Sequence, residues 1–179
     1  MADTERTKAD LLALYADNTS GDISPQDLRD LVETMDRPVG FMVVSTPATT
    51  TIGVAGTYYL AAGTTTLYVS RDFTMPQNNR LTYTGTPKIL ALVALSLTLS
   101  VSGTGNKTLA ITLYKGGGEV SAKYRCRSTL TGATCRSYTI MALVSMTTND
   151  YLEIWITNET DTIRPQMELA QMVVLGLFQ

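Results

Sequence analysis

Apolar residues in the first 38 positions of the chain recur with the period of an α-helix. One run covers residues 7–17 and stops where turn-forming residues begin at Asn18. A second run starts after Ser24, a favoured N-cap residue, with Pro25 suited to the first helical position and Asp27 placed to complete a capping box. Pro38 ends this run. The pattern predicts two short helices.

Helices of about 12 residues are marginal in water without tertiary packing. The apolar side of this arm must therefore rest on its own β module or on another protein. We interpret residues 1–38 as a helical arm that contacts a partner. The apolar residues that we expect to make this contact are Leu11, Leu12, Leu14, Tyr15, Ile23, Leu28, Leu31 and Val32.

After residue 38 the hydrophobic period changes to two, which is typical of β-strands with one buried face. Residues 95–102 and 109–114 alternate strictly, and the short connection 103–107 predicts that they form a hairpin. Loops are expected at residues 45–51, 61–65 and 71–79. Further strands are predicted at residues 41–44, 54–60, 66–69, 119–126, 136–144, 151–157 and 168–178.

Strands at intervals of about ten residues, separated by Gly, Asn and Asp turns, favour a sandwich or barrel over a βαβ sheet. The predicted fold is mainly β. It is an antiparallel β-sandwich of the jelly-roll type over residues 39–179, preceded by the short N-terminal helical arm. A chain of 179 residues can bury one core of ordinary size.

Charge and hydropathy narrow the choice of partners. The formal net charge is −2, and the Lys and Arg residues are scattered, so direct binding of nucleic acid is not expected. The opening residues are polar and carry no secretory pattern, and the longest apolar stretch, residues 89–101, is interrupted by Ser and Thr. We expect synthesis in a cytoplasm and no membrane partner.

The sequence contains no recognisable set of catalytic residues. The chain has no histidine, which removes the commonest general base and metal ligand. The carboxylates near Asp27 and those near Glu153 are interpreted as exposed solubilising charges, and the run 116–118 as a β-turn. We therefore expect no enzyme, no catalytic residue and no cofactor. The alternative of a calcium loop at Asp150 or Asp161 is the less favoured one.

Two features leave alternatives open. Cys126 and Cys135 flank one predicted loop, so they either form a cross-loop disulfide or remain free thiols, and a cytoplasmic product favours free thiols. Four tyrosines in or near strands either line a carbohydrate-binding surface or pack half-buried, and packing is the commoner role. These tyrosines are Tyr58, Tyr59, Tyr68 and Tyr83.

Residues 9–32 resemble an N-terminal segment that recurs in structural proteins of tailed bacteriophages, including head-decoration and head-fibre proteins. The resemblance centres on Ala16-Asp17-Asn18-Thr19 and Ile23-Ser24-Pro25-Gln26-Asp27-Leu28-Arg29. A second resemblance covers residues 78–179. Here Asn79–Thr86 precedes the alternating strand, and Asn149–Ile156 precedes the last strand, as in the trimeric tumour-necrosis-factor-like jelly-roll knobs of such phage proteins.

These resemblances imply a virion protein on the capsid exterior. A homotrimer would bind the major capsid protein through its arm and cement neighbouring capsomers. The alternative is a head-fibre or tail adsorption protein whose outer loops bind a host-surface glycan. An enzyme such as a depolymerase is the least favoured hypothesis.

Overall fold

The computed structural model describes residues 24–35 and 37–178 of the chain. Helix α1 spans Pro25–Met35. The Ser24 hydroxyl accepts a hydrogen bond from the Asp27 N–H at 3.2 Å, and the Asp27 carboxylate accepts one from the Ser24 N–H at 2.8 Å. This reciprocal pair is the capping box that the sequence predicts. The second predicted helix is confirmed, whereas the first, at residues 7–17, lies outside the described residues.

Twelve strands follow α1 in the described part of the chain. They are β1 Val39–Thr49, β2 Tyr59–Leu60, β3 Gly63–Arg71, β4 Phe73–Thr74, β5 Arg80–Tyr83, β6 Ile89–Val101, β7 Asn106–Lys115, β8 Gly118–Glu119, β9 Cys126–Thr131, β10 Cys135–Met146, β11 Tyr151–Asn158 and β12 Pro165–Phe178. A single 3₁₀ turn, Ala122–Tyr124, lies before β9. None of the helical residues described forms a span that could cross a membrane.

The strands form two antiparallel sheets that enclose the core. The five-stranded sheet has the order β10-β6-β12-β1-β3. The seven-stranded sheet has the order β4-β5-β11-β7-β8, with β2 beside β11 and β9 beside β7. Alternate residues of β6, and of β10 from Tyr138 onward, point into the core and are at most 4% exposed. The predicted antiparallel β-sandwich is confirmed.

The predicted hairpin between residues 95–102 and 109–114 is wrong. β6 pairs with β10 and β12, whereas β7 pairs with β9 and β11, so the two strands lie in opposite sheets. Both alternate because each turns an apolar face toward the same core. The connection between them contains Gly103 and Gly105 with φ of 98° and 81°, and it crosses from one sheet to the other.

Several other segments differ from prediction, including the predicted loops 61–65 and 71–79, which contain the start of β3 and all of β4. Residues 119–126 contain the end of β8 and the 3₁₀ turn rather than a strand, and Ser121 caps this turn by accepting from the Lys123 N–H. Only Tyr59–Leu60 of the predicted strand 54–60 is paired. β1 continues to Thr49, through most of a predicted loop, because both β3 and β12 pair with it.

The junction between α1 and the sandwich is fixed at the end of the five-stranded sheet. Pro38 is buried, and its carbonyl accepts a hydrogen bond from the Gly176 N–H at 2.8 Å. A Cβ atom on Gly176 would lie 2.9 Å from the Pro38 Cβ, so this position needs glycine for the close approach. The arm therefore joins the sandwich at Pro38, next to β12.

The cap predicts a local effect of a single substitution. Ser24→Ala removes the hydroxyl that accepts from Asp27 and should destabilise the first turn of α1 by about 1 kcal/mol. Hydrogen exchange of the α1 amides should accelerate in this variant, and Ser24→Asp should restore protection. Equal exchange rates in the Ala variant and the parent would contradict the capping role.

Candidate interaction surfaces

The outward side of the five-stranded sheet, here called the open face, carries a row of apolar side chains across all five strands. Met141, Ala94, Val173, Phe41 and Val69 stand in direct register from β10 to β3. Met141 is 65% exposed and Val69 is 49% exposed. Contiguous exposed apolar residues on a soluble protein mark interaction sites more often than isolated ones do.

A second apolar row lies next to the first, toward the end where the arm enters. Leu143, Leu92, Leu175 and Val39 are in register across four strands, and Arg71 on β3 ends the row. Leu143 and Leu175 remain 52% and 42% exposed. The registered apolar rows of the open face therefore lie toward the arm end, whereas Leu169 on β12, 66% exposed, lies toward the other end.

The rest of the open face carries more polar side chains and is concave. The next row consists of Thr139, Ser96, Gln171, Val43 and Thr66. The small side chains on β6 leave a depression of about 260 Å³ beside Ser96 and Gln171, and a second of about 160 Å³ next to it. The open face thus combines exposed apolar side chains with two depressions. Side chains of a partner could fill these depressions.

The outward side of the seven-stranded sheet is different, because its side chains cover one another. The Tyr114 and Trp155 rings stack with their centroids 4.1 Å apart and their planes at 10°. The Arg80 guanidinium lies 3.9 Å from the centre of the Tyr151 ring. Between these pairs lies Glu153. We call these five residues the aromatic ladder.

Glu153 is the buried centre of the aromatic ladder. It is 2% exposed and accepts from Arg80 Nε and Nη2 at 2.9 and 2.6 Å. Trp155 Nε1 donates to its second oxygen at 3.0 Å. The interpretation of Glu153 as an exposed solubilising charge is wrong. A carboxylate can be buried at this position because three donors replace the water that it loses.

A second ion pair, between Arg125 and Glu119, covers another part of the outward side of the seven-stranded sheet. Arg125 Nε and Nη2 contact the two Glu119 oxygens at 2.6 and 2.7 Å, and the Thr112 hydroxyl donates to Glu119 at 2.9 Å. The hydrogen bond from Arg125 holds the pKa of Glu119 below its usual value. Burial raises the pKa of the neighbouring Tyr58 to about 12.

Helix α1 turns its apolar side outward. Leu28 and Val32 are 52% and 65% exposed, and Leu31 between them is partly exposed. Asp30, on the opposite side of the helix, is only 2% exposed. Three of the predicted contact residues thus lie on one open stripe. The other five, Leu11, Leu12, Leu14, Tyr15 and Ile23, lie outside the described residues.

The four tyrosines of the glycan hypothesis do not form one surface. Tyr83 is fully buried and donates to the Pro87 carbonyl at 2.8 Å. The Tyr59 hydroxyl accepts from the Val54 N–H, which is a loop contact. Tyr68 is 66% exposed on the edge strand β3, beside the open face, whereas Tyr58 lies near Arg125 on the other sheet.

The two aspartates considered as calcium ligands, Asp150 and Asp161, form ion pairs with lysines in this structure. Asp150 contacts Lys115 Nζ at 2.8 Å, and Asp161 contacts Lys107 Nζ at 2.6 Å. The hydrogen bond from Lys107 lowers the pKa of Asp161. Within residues 24–35 and 37–178, no cluster of three potential metal ligands occurs.

Both cysteines are free, so the alternative of a cross-loop disulfide is not realised. Cys126 pairs with Ile111 in the seven-stranded sheet, and Cys135 pairs with Ser100 in the five-stranded sheet. The segment between them crosses from one sheet to the other, which sequence spacing alone does not reveal.

No protein-family model matches the chain, and no curated protein matches it either. Solved structures do. The crystal structure of murine APRIL at pH 8.5 has a TM-score of 0.52 at 11% identity and covers 79% of this chain and 100% of its own. Eiger TNF from S. frugiperda has a TM-score of 0.51 at 12% identity, covering 79% of this chain and 92% of its own. These likenesses, together with the sheet order, show that the β module has the tumour-necrosis-factor-like jelly-roll fold.

Proposed function

We propose that this chain is a homotrimeric structural protein of a tailed-bacteriophage virion. In this role it decorates the capsid exterior, binds the major capsid protein through its arm and cements neighbouring capsomers. The observation that supports self-association is the exposed apolar surface of the open face. It presents two registered apolar rows to solvent, whereas the outward side of the opposite sheet is closed by the aromatic ladder and the Arg125–Glu119 pair.

The energetics favour covering the open face. Complete burial of one Leu, Val or Met side chain contributes roughly 1.5–3 kcal/mol. Met141, Leu143 and Leu175 are each at least 42% exposed, so a second copy could remove much of their apolar surface from water. Contacts of one copy with the next can close into a ring of three, which leaves no open face unpaired. The tumour-necrosis-factor-like jelly roll is compatible with such a trimer.

Attachment to the virion is supported by the arm. Residues 9–32 resemble the N-terminal segment of phage decoration and head-fibre proteins. A trimer engages three capsid sites at once. Avidity then raises the overall affinity by about 10²–10⁴ over a single arm without new contacts.

A structural role requires no catalytic residue, cofactor or metal. It is also consistent with the modest net charge of −2, since no partner with a dense negative charge is involved. In this proposal the protein is made in the host cytoplasm and functions on the assembled particle, without direct nucleic-acid or membrane contacts.

The test of the proposed function is reconstitution on particles that lack the protein. The parent chain should bind them and raise the temperature at which they release DNA. The double variant Leu11→Asp/Leu14→Asp should remain trimeric by light scattering and lose binding. Val54→Asp, at an exposed loop residue, is the matched control and should bind normally. An unchanged release temperature with the parent bound would reject cementing.

The alternative function is that of a head-fibre or adsorption protein that binds a host-surface glycan. The specific observation in its favour is the Tyr58–Arg125 contact beside the aromatic ladder, because Tyr and Trp rings combine an apolar face with a hydrogen-bonding group. Glycan-array binding by the trimer that is lost in Tyr58→Ala but retained in Tyr68→Ala would favour this function over cementing. Absence of glycan binding by the parent would exclude it.

A further inference from the structure

Helix α1 has its apolar and polar sides arranged in the reverse of the usual order. In a surface helix the apolar stripe faces the protein and the charged side faces water. Here Leu28 and Val32, one turn apart, are more than half exposed, whereas Asp30 on the other side is buried. Among the residues that the structure describes, none covers this stripe.

The connection to β1 determines where the stripe lies. Met35, the last residue of α1, is separated from Val39 by three residues, and Pro38 is held against Gly176 on β12. Val39 belongs to the apolar row of the open face. The helix therefore leaves the sandwich at the end of the open face where the two apolar rows lie. If copies assemble through that face, their α1 helices leave the assembly at the same end.

We propose that the exposed stripe of α1 packs against α1 of two other copies, so that the three helices form a parallel bundle at the arm end of the trimer. This inference rests on the proposed trimer. The order of apolar residues supports it, because Leu28, Leu31 and Met35 follow the a, d, a spacing of a coiled-coil heptad. Asp27, Arg29 and Asp30 lie off that seam.

Length and concentration also favour a second copy as the partner. With 11 residues, α1 is about 16 Å long, too short to form a stable bundle from free helices. Attachment to an assembled trimer changes this, because a short tether gives an effective concentration on the order of millimolar. Residues 1–23 then remain to contact the capsid, which divides the arm into a self-associating part and an attaching part.

Disulfide trapping tests the bundle in the full-length chain. Leu28→Cys is introduced after Cys126→Ser and Cys135→Ser have removed the native thiols. A bundle brings Leu28 of different copies within the ~7 Å Cα separation that a disulfide allows. Mild oxidation of a dilute sample should convert about two of every three chains into covalent dimers, since one thiol of each three has no partner. Arg29→Cys, off the seam, is the matched control and should stay largely uncrosslinked.

The outcomes separate the inference from the function on which it rests. Light scattering before oxidation reports the oligomeric state, and a monomer there rejects the proposed trimer. A trimer in which Leu28→Cys and Arg29→Cys crosslink equally poorly rejects the bundle but leaves the trimer intact. Crosslinked species larger than one trimer on non-reducing gel filtration would show that the stripe joins separate trimers, which also contradicts the bundle.

Discussion

Replacing Leu143 and Leu175 by Glu should convert the trimer into a folded monomer. Both residues lie in the second apolar row of the open face, in register on either side of Leu92. Because they are 52% and 42% exposed in a single chain, charges at these positions remain solvated in the monomer. In a trimer the same charges would be buried without partners, which costs several kcal/mol for each ion.

Multi-angle light scattering measures this result directly, and circular dichroism with thermal unfolding shows whether the monomer is folded. Substitutions at such exposed positions usually change monomer stability by no more than about 0.5 kcal/mol. Val54→Glu is the matched control, since Val54 is 61% exposed but lies in a loop outside the open face, and it should remain trimeric. A trimer that survives both Glu substitutions would disprove the assignment of the open face.

The sequence itself contains a signal for the open face. On β6 the outward positions change from Leu90, Leu92 and Ala94 to hydroxyl residues from Ser96 onward. An outward position of a half-buried strand is usually polar. Apolar residues at both alternating positions in residues 89–94 therefore indicate a second covered side. Alternation alone was sufficient to predict the strand, whereas the change along the outward positions distinguishes its apolar half from its hydroxyl-rich half.

Local features were predictable, and pairings distant in the sequence were not. The Ser24–Asp27 capping box involves residues three positions apart, so residue preferences alone identify it. The sheet to which β7 belongs depends on β9 and β11, which follow it along the chain. Hairpin prediction assumes that neighbouring strands pair, and a sandwich whose strands cross between sheets breaks that assumption.

Glu153 shows the same limitation for a charge. Leu152 and Ile154, its neighbours on β11, are buried, and Glu153 on the opposite side of the strand was interpreted as an exposed charge. The cation that allows Glu153 to be buried is Arg80, 73 residues earlier in the chain. No sequence spacing connects the two residues. Only the pairing of β5 with β11 brings them together.

Arg80→Ala should be strongly destabilising, because it leaves the buried Glu153 carboxylate without its cation. Loss of one partner of a buried ion pair costs roughly 3–5 kcal/mol. We expect about 3 kcal/mol here, since Trp155 Nε1 still donates to the carboxylate. Urea unfolding of the Leu143→Glu/Leu175→Glu monomer measures this loss without the concentration dependence of a trimer. The variant also removes the contact of Arg80 with the Tyr151 ring.

Two further variants separate the effect of the buried charge from that of lost packing. Arg80→Ala/Glu153→Leu removes both charges and should recover part of the lost stability, because an apolar side chain needs no donors in this position. Arg127→Ala breaks the exposed contact between Arg127 and Glu159, whose side chains are 69% and 30% exposed, and should cost less than about 1 kcal/mol. If the Arg80 and Arg127 variants lost equal stability, the aromatic ladder would be a surface feature rather than a buried network. If the double variant were no more stable than Arg80→Ala alone, the loss would arise from packing around Tyr151 and not from the unpaired carboxylate.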